Sequence, residues 1–427
     1  MRFRRLSAAV SSCAREVSRI ISSIQCSGRI VVVLLVAAPA IAQTTVTNSL
    51  SLQAAMDRAF AANPTIAAAR LSRAINVAGR AVAAEYLNPE VTVEIEKDTP
   101  KQAFGFVMPL ELGGKRAKRI AVSEAAIRTG DAELSATIAQ VRNDVRRTYF
   151  DVAVAQERLV ILQELRDLSR RVRDSAQARF ESGESPRLEV LQADLAVAAA
   201  ENEATAAEAA VIASTSKLNA VLGLPLDTRQ QLTTALDVGG PVTTDVVMDL
   251  ARTGSSELAV FDRRIAEQRA KVALAQALRV PDLMPGAALT HDAQPEFTYG
   301  WRAGLIITVP IFTSHKAGVL VEESTLAHLN AQREATLLRI TGDVTAAAAV
   351  AEAQRLAYAR YRDVILPQAQ EVEQLAQDSY QFGQTGIAAL LQALQASRDV
   401  RLRAVDVAAQ FQTALADLER AIGTPLP

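Results

Sequence analysis

Few residues in this sequence are suited to catalysis or to metal binding. The 427 residues include three histidines and two cysteines. His291, His315 and His328 are too widely spaced for one zinc site, whose ligands usually come in close pairs. The sequence contains no Gly-rich phosphate loop, H-E-x-x-H motif or nucleophile elbow. We therefore expect no enzymatic activity, no metal site and no cofactor.

The charged residues of most interest stand beside a pair of glycines. Glu111 precedes Gly113 and Gly114, and Lys115 and Arg116 follow them. The glycines relax the backbone of a turn, whereas cations at the start of a helix oppose its macrodipole. We expect Lys115 and Arg116 to pair with Glu111 or with acids on a neighbour.

The composition favours helices over a large β core. Hydrophobic residues make up 49% of the chain, but aromatic residues only 4%. Charged residues make up 22%, with a formal net charge of −1. A nucleic-acid-binding protein is usually basic, and a disordered chain is usually poor in apolar residues. We therefore expect an ordered, mainly helical protein that does not bind nucleic acid.

The first 42 residues have the features of a secretory signal. An arginine-rich segment is followed by an apolar run, residues 30–38, which is too short to span a bilayer. Ala40-Ile41-Ala42 then matches a cleavage site, so we predict a cleaved signal peptide rather than a buried N-terminal helix. Cys13 and Cys26 both fall in this leader, and Cys26 precedes the apolar run, so it cannot carry a lipid anchor.

The rest of the sequence repeats itself. The segments Arg179–Gly183 and Leu191–Ala193 recur 200 positions later, at Ser379–Gly383 and Leu391–Ala393. Internal repeats of this kind indicate duplicated structural units. We predict a first repeat at 43–227, a linker at 228–244 and a second repeat at 245–427.

Each repeat contains one very long helix. Lys115–Glu181 has no proline, and its apolar residues recur every three or four positions. At 1.5 Å per residue such a helix is about 100 Å long. The counterpart is Lys316–Gln381, in which Pro367 predicts a kink. Helices of this length must pack on each other or on other chains, and taken alone they favour a structural coiled coil.

Each repeat also contains a β-hairpin, at about 89–110 and 286–311. Val91, Val93 and Ile95 alternate with polar residues, which is the period of a strand with one apolar face. In the second hairpin, aromatic residues at one end precede aliphatic ones, as in a membrane strand with an interfacial girdle. We place His291 and Asp292 in the loop of this hairpin. The predicted girdle is Phe297, Tyr299 and Trp301.

Counting strands predicts an assembly. If the hairpins lie in a membrane, each chain supplies about four strands, whereas a closed membrane barrel needs about eight or more. Open strand edges are not tolerated in lipid. Two or three chains must then share one barrel. The alternative is an ordinary soluble hairpin with a buried face.

This plan resembles the TolC family of outer-membrane efflux proteins over nearly all of residues 50–427. The ordered motifs that carry the resemblance are Ala62-Asn63-Pro64, Leu87–Glu90, Pro109–Arg116, Val309–Phe312 and Leu366-Pro367. The resemblance implies a mainly α fold with a small β part. It also implies a homotrimer that shares one 12-stranded β-barrel in the lipid of the outer membrane and continues as an α-helical tube in the periplasm.

The resemblance implies a passive exit duct as the function. An inner-membrane pump of the RND type and a periplasmic adaptor would deliver the substrate. The segment Pro109–Arg116 is similar to the CzcC-like heavy-metal branch, so we expect metal cations as cargo. A drug efflux duct or a type I secretion duct of the same fold is the alternative. A periplasmic coiled-coil adaptor or a structural protein is the alternative of another class.

The resemblance also assigns roles to residues. Some family members close the periplasmic mouth with acids on the returning helix, and here only Glu189 is acidic where the other repeat has Ala389. We expect a weaker cation-binding constriction. Ser185 is the predicted N-cap of the returning helix, with Pro186 in its first position. The adaptor contacts that the resemblance implies are Phe180, Gly183, Ser185, Pro186, Tyr380, Gly383, Thr385 and Gly386. The gate and pore candidates are Glu189, Gln192, Gln392, Glu94 and Glu96. The switch from strand to helix comprises Pro109, Glu111, Gly113, Gly114, Lys115 and Pro310.

Overall fold

The computed structural model describes residues 49–98, 100–293, 297–309 and 311–426. The predictions for the signal peptide, for Cys26, for Pro310 and for the Phe297 side chain fall outside these residues. All the elements below belong to one compact unit, Thr47–Pro427.

The first repeat consists of four helices and a hairpin. Asn63 separates the first two helices: its side-chain oxygen accepts the Thr65 N–H at 2.8 Å, and Pro64 follows as the first helical residue. The second helix ends at Ala84, and the long helix has the predicted bounds. The elements are β1 (Ser49–Leu50), α1 (Leu52–Ala62), α2 (Pro64–Ala84), β2 (Glu90–Ile95), β3 (Gln102–Val107), α3 (Lys115–Glu181) and α4 (Arg187–Leu222).

The second repeat has the same order of elements. Its short first strand lies within the predicted linker and pairs in parallel with β1. A π-turn, Tyr361–Ile365, ends two residues before Pro367, where the sequence predicts a kink. The elements are β4 (Gln231–Leu232), α5 (Thr244–Gly254), α6 (Ser256–Ala277), β5 (Leu283–Ala293), β6 (Phe297–Ile307), α7 (Lys316–Arg360), α8 (Leu366–Gln381) and α9 (Ile387–Ile422).

The helices pack side by side around α3. Near the hairpins α3 packs between α2 and α6, and α6 packs on α7. Toward the other end α3 packs between α4 and α9, and α9 packs on α8. The two repeats are tied together where Arg146 of α3 meets Glu419 of α9 at 2.6 Å and Asn143 donates to the Ala416 carbonyl at 2.6 Å. Within the described ranges, no helix has both the length and the hydropathy needed to cross a bilayer.

The two hairpins join into a single antiparallel sheet. The strand order is β2-β3-β5-β6, so β2 and β6 are the two edges. His291 and Asp292 lie inside β5 and not in the predicted loop. The reason is that the ladder continues to this level, where His291 pairs with both Gln102 and Tyr299.

Candidate functional site

One face of the sheet is apolar and exposed. Residues paired across antiparallel strands lie on the same face. The register aligns Val93, Phe104, Leu289 and Trp301 in one row across all four strands. Each of these side chains is between 52% and 78% exposed in the single chain. Tyr299 is in the next row, toward the hairpin turns. A continuous exposed apolar surface of this kind indicates an interaction with lipid or protein.

The opposite face is polar or lined by small residues. It carries Thr92 and Glu94 of β2, Thr290 of β5 and Arg302 of β6. Arg302 donates to the Glu94 carboxylate at 2.8 Å, between the two outermost strands of the sheet. Because both groups remain well exposed, the pair contributes little to stability. A face of this composition can line a hydrated passage.

The strand-to-helix switch contains a buried ion pair between the repeats. Gly113 and Gly114 both have left-handed backbone angles, with φ of 67° and 68°. Lys115 is 6% exposed, and its ammonium lies 2.7 Å from the Asp282 carboxylate. The other Asp282 oxygen accepts the Leu112 N–H at 3.1 Å. This carboxylate compensates a cation that the helix macrodipole disfavours.

Of the two expected kinds of partner, Glu111 is therefore wrong for both cations, whereas Lys115 does pair with an acid on a neighbouring segment. Glu111 pairs with Arg119, one turn further along α3. Arg116 donates to the Ala84 carbonyl at 2.8 Å, and its guanidinium lies 3.9 Å from the centre of the Tyr86 ring. The helix turn carries the Arg116 side chain toward α2, away from Glu111.

The second switch uses a histidine where the first uses glycine. His315 directly precedes α7, as Gly114 precedes α3, and has φ of 54°. Histidine is among the residues that adopt this conformation more often than most non-glycine types. In the first switch, Leu110 follows Pro109 and forms an isolated bridge with Leu283 of β5.

The two helical hairpins end in the same turn, and we call these two turns the tips. Gly183 and Gly383 have φ of 79° and 71°, which terminates α3 and α8. Gly183 donates to the Phe180 carbonyl and Gly383 to the Tyr380 carbonyl, each at 3.0 Å. The turn is therefore a feature of the repeat.

The residue at the start of α4 differs from the prediction. Pro186 itself occupies the N-cap position, with ψ of 153°, and Ser185 lies one residue outside the helix. The Ser185 hydroxyl is buried and has no hydrogen-bond partner. Gly386 takes the equivalent position before α9, with ψ of 163°, and Thr385 beside it is exposed. The N-cap residue of a helix has an extended backbone, and the turn gives this conformation to Pro186, so Pro186 is the N-cap.

A polar link joins the two tips. The Tyr380 hydroxyl donates to the Glu189 carboxylate at 3.2 Å. Arg179 donates to the Tyr380 carbonyl at 2.8 Å, and its guanidinium lies 4.9 Å from the ring centre. Tyr380 is 1% exposed. Burial, together with the adjacent Glu189 charge, raises the pKa of Tyr380 to about 12, so its hydroxyl remains a donor at neutral pH.

The predicted gate and pore residues occupy two separate regions. Glu189 takes part in the link between the tips, Gln192 is half-buried on α4, and Gln392 is exposed on α9. Glu94 lies on the polar face of the sheet and Glu96 directly follows β2. The length of α3 separates these two groups, so the sequence-based set does not form one site.

Three residues of these sites were not predicted from the sequence: Arg179, Phe382 and Asp282. Phe382 is 77% exposed beside Gly383, where the first repeat has Ser182. Arg179 likewise stands where the second repeat has Ser379. These two differences between the repeats could have identified Arg179 and Phe382 from the sequence. Among the described residues, no group of three or more His, Cys, Asp or Glu side chains could hold a metal ion.

Comparison with known proteins places this arrangement in a family. The model of the outer membrane efflux protein (OEP) family matches residues 55–224 and 247–424. The cobalt-zinc-cadmium resistance protein CzcC of Cupriavidus metallidurans is 22% identical over 377 residues, covering 88% of this chain and 90% of that protein. The nickel-cobalt-cadmium resistance protein NccC of Alcaligenes xylosoxydans xylosoxydans is 24% identical over 231 residues, covering 51% of this chain and 49% of that protein.

A solved structure has the same fold. The Campylobacter jejuni CmeC outer membrane channel superposes with a TM-score of 0.75 at 15% identity, covering 87% of this chain and 85% of that one. The mainly helical fold with a small sheet is thus the TolC-like fold expected from the sequence. The family match spans most of both repeats, and the chain belongs to the outer membrane efflux protein family.

Proposed function

We propose that this chain is the outer-membrane exit duct of a tripartite efflux system, assembled as a homotrimer. The observation that carries the proposal is that each chain has two open edges running from the sheet into the helices. Edge strand β2 is reached from edge helix α2, and edge strand β6 leads into edge helix α7. A chain of this form is one segment of a closed wall.

The strand edges call for further copies of the chain. Four strands are too few to close a membrane barrel, and an unpaired edge in lipid leaves backbone groups without hydrogen bonds. Three copies give the 12 strands that the family resemblance implies. The apolar face of the sheet then faces lipid, and the polar face with Glu94 and Arg302 lines the passage.

The helix edges point to the same partner. Exposed apolar side chains form a seam along each edge helix, as in helices that pack on other helices. They are three to seven residues apart on α2, α4 and α8, and 18 residues, about five helical turns, apart on α7. In the proposed trimer, α7 of one copy covers α2 of the next, and α8 covers α4. The exposed seam residues are Leu71, Ile75 and Val82 of α2, Leu320 and Leu338 of α7, Leu188, Leu191 and Leu195 of α4, and Val372 and Leu375 of α8.

The tips are the proposed docking point and gate. Phe180 and Phe382 are exposed apolar side chains beside the turns, suited to contact with a periplasmic adaptor. The link between Tyr380 and Glu189 holds the two hairpins of a chain together and would have to open for passage. An inner-membrane pump, of the RND type, loads the duct through the adaptor. The helices lie in the periplasm, and the signal peptide directs export.

We propose heavy-metal cations as the cargo. This inference follows the names of the two relatives, which are resistance proteins for cobalt, zinc, cadmium and nickel. Growth of a strain lacking the gene, measured against graded cobalt, zinc, cadmium, nickel and copper, tests it beside a panel of dyes, detergents and antibiotics. Selective sensitivity to metals supports heavy-metal cations as the cargo. Sensitivity to organic compounds alone would contradict the metal cargo but would still support an efflux duct.

The trimer is tested separately. Ile75→Asp places a charge in the exposed seam of α2, and Ser72→Asp, on the same helix, is the matched control. We expect the first variant to lose the trimer in detergent and to leave the outer-membrane fraction, and the control to retain both. A stable monomer for the wild-type chain in that fraction would contradict the shared barrel.

A further inference from the structure

The long helix of the second repeat contains one more residue than its counterpart between the packed core and the tip. In the core, Val141 and Val145 of α3 have the same role as Ile340 and Val344 of α7, 199 positions later. At the tips the offset is 200, because Gly183 and Gly383 make the same hydrogen bonds. One residue has therefore been inserted in the second repeat between these two levels.

The π-turn accommodates this extra residue. It lies between the two levels, at Tyr361–Ile365, and the Leu366 N–H donates to the Tyr361 carbonyl five residues earlier. A π-turn holds one additional residue without rotating the helix faces on either side. Pro367 follows after Leu366 and has no N–H to continue the helical ladder. None of the five residues of the π-turn is buried.

Beyond the π-turn, α8 is weakly held by its own chain. Tyr380 is its single buried residue. Val172 of α3 is 6% exposed, whereas its counterpart Val372 of α8 is 52% exposed. Midway along α8, the Glu373 carboxylate accepts one hydrogen bond from the Ser397 hydroxyl of α9 at 2.5 Å. In this chain α8 is therefore an arm with a break in regular helical bonding at one end and the link to Glu189 and Arg179 at the other.

We propose that the π-turn is the hinge on which α8 swings when the link at Tyr380 is released. This inference rests on the proposed function, in which the tips control passage. Sharp changes of helix direction are found at prolines and π-turns, and both occur here within seven residues. The uninterrupted helix α3, with its buried residues down to Ala176, is the fixed counterpart.

Deletion of a single residue tests the hinge. Deletion of Val364, which is exposed, is expected to convert the π-turn into regular α-helix while the faces on both sides keep their register. Deletion of Glu164, its counterpart in α3, is the matched control, because it rotates the following faces by about 100°. We expect the first deletion to retain the trimer and the second to lose it.

Two measurements then report on motion. We expect amide hydrogen exchange in residues 366–375 to be at least tenfold slower after deletion of Val364. In planar bilayers, we expect Tyr380→Phe to raise the open fraction several-fold in the full-length chain and less than half as much in the deletion variant. Unchanged exchange, or loss of the trimer on deletion of Val364, would overturn the hinge. If no variant conducts, the duct itself is refuted, and hydrogen exchange alone decides whether the hinge exists.

Discussion

Removing the Tyr380 hydroxyl should release the tips without unfolding the protein. Tyr380→Phe keeps the buried ring but deletes the hydrogen bond to Glu189. A hydrogen bond to a charged group contributes about 1.5–3 kcal/mol. Glu189 is half-buried and can be rehydrated, so we expect the lower part of this range, about 1.5–2 kcal/mol. That corresponds to roughly a 10–30-fold shift toward the released state in each chain.

The assay is single-channel recording in planar bilayers. We expect a higher open fraction for Tyr380→Phe and wild-type behaviour for the control Tyr358→Phe, whose tyrosine is half-buried on α7 and lies outside the tips. Because Arg179 also donates to the Tyr380 carbonyl and lies against its ring, adding Arg179→Leu should open the tips further. A wild-type open fraction for both Tyr380→Phe and the double variant would refute the assignment of the link as a closing contact.

The same link predicts a dependence on pH. The folded protein binds the Tyr380 proton more tightly than the unfolded chain, which has a pKa near 10.0. The contribution of Tyr380 to stability is therefore fully present below pH 10 and is lost as pH rises through about 12. The open fraction should rise over this interval in the wild type, and Tyr380→Phe should remove this response.

Three further predictions concern the sheet and the switches. Asp282→Ala leaves the buried Lys115 without its carboxylate and should lower the free energy of unfolding by about 3 kcal/mol. The exposed control Asp262→Ala should lower it by less than about 1 kcal/mol. Equal effects of the two variants in thermal unfolding of the trimer would contradict the role of Asp282. His315→Gly relieves a left-handed backbone and should stabilise the protein by up to about 1 kcal/mol in the same assay, and a destabilisation would show that the imidazole is needed. Leu289→Arg on the apolar face should cost about 2–4 kcal/mol and prevent recovery in the outer-membrane fraction, and normal recovery would contradict the lipid-facing assignment of that face.

The sequence by itself predicted the elements whose signal is local. The absence of proline and the three-to-four periodicity predicted the bounds of Lys115–Glu181, because a helix needs only a continuous apolar stripe and no breaker. The alternation from Val91 to Ile95 predicted an exposed apolar strand face, because successive side chains of a strand point to opposite sides. The glycines at 183 and 383 marked the two helix ends, where a left-handed residue is needed.

Only the tertiary structure decided which charged and polar groups meet. Lys115 meets Asp282 and Tyr380 meets Glu189 across 167 and 191 positions of sequence, and no local pattern encodes such distances. The extra residue at the π-turn likewise follows only from the structure, in which the packed core and the tips align the two repeats with different offsets. Periodicity along a chain fixes how each helix or strand forms, whereas the partners of a buried polar group depend on which elements the packing of apolar faces brings together.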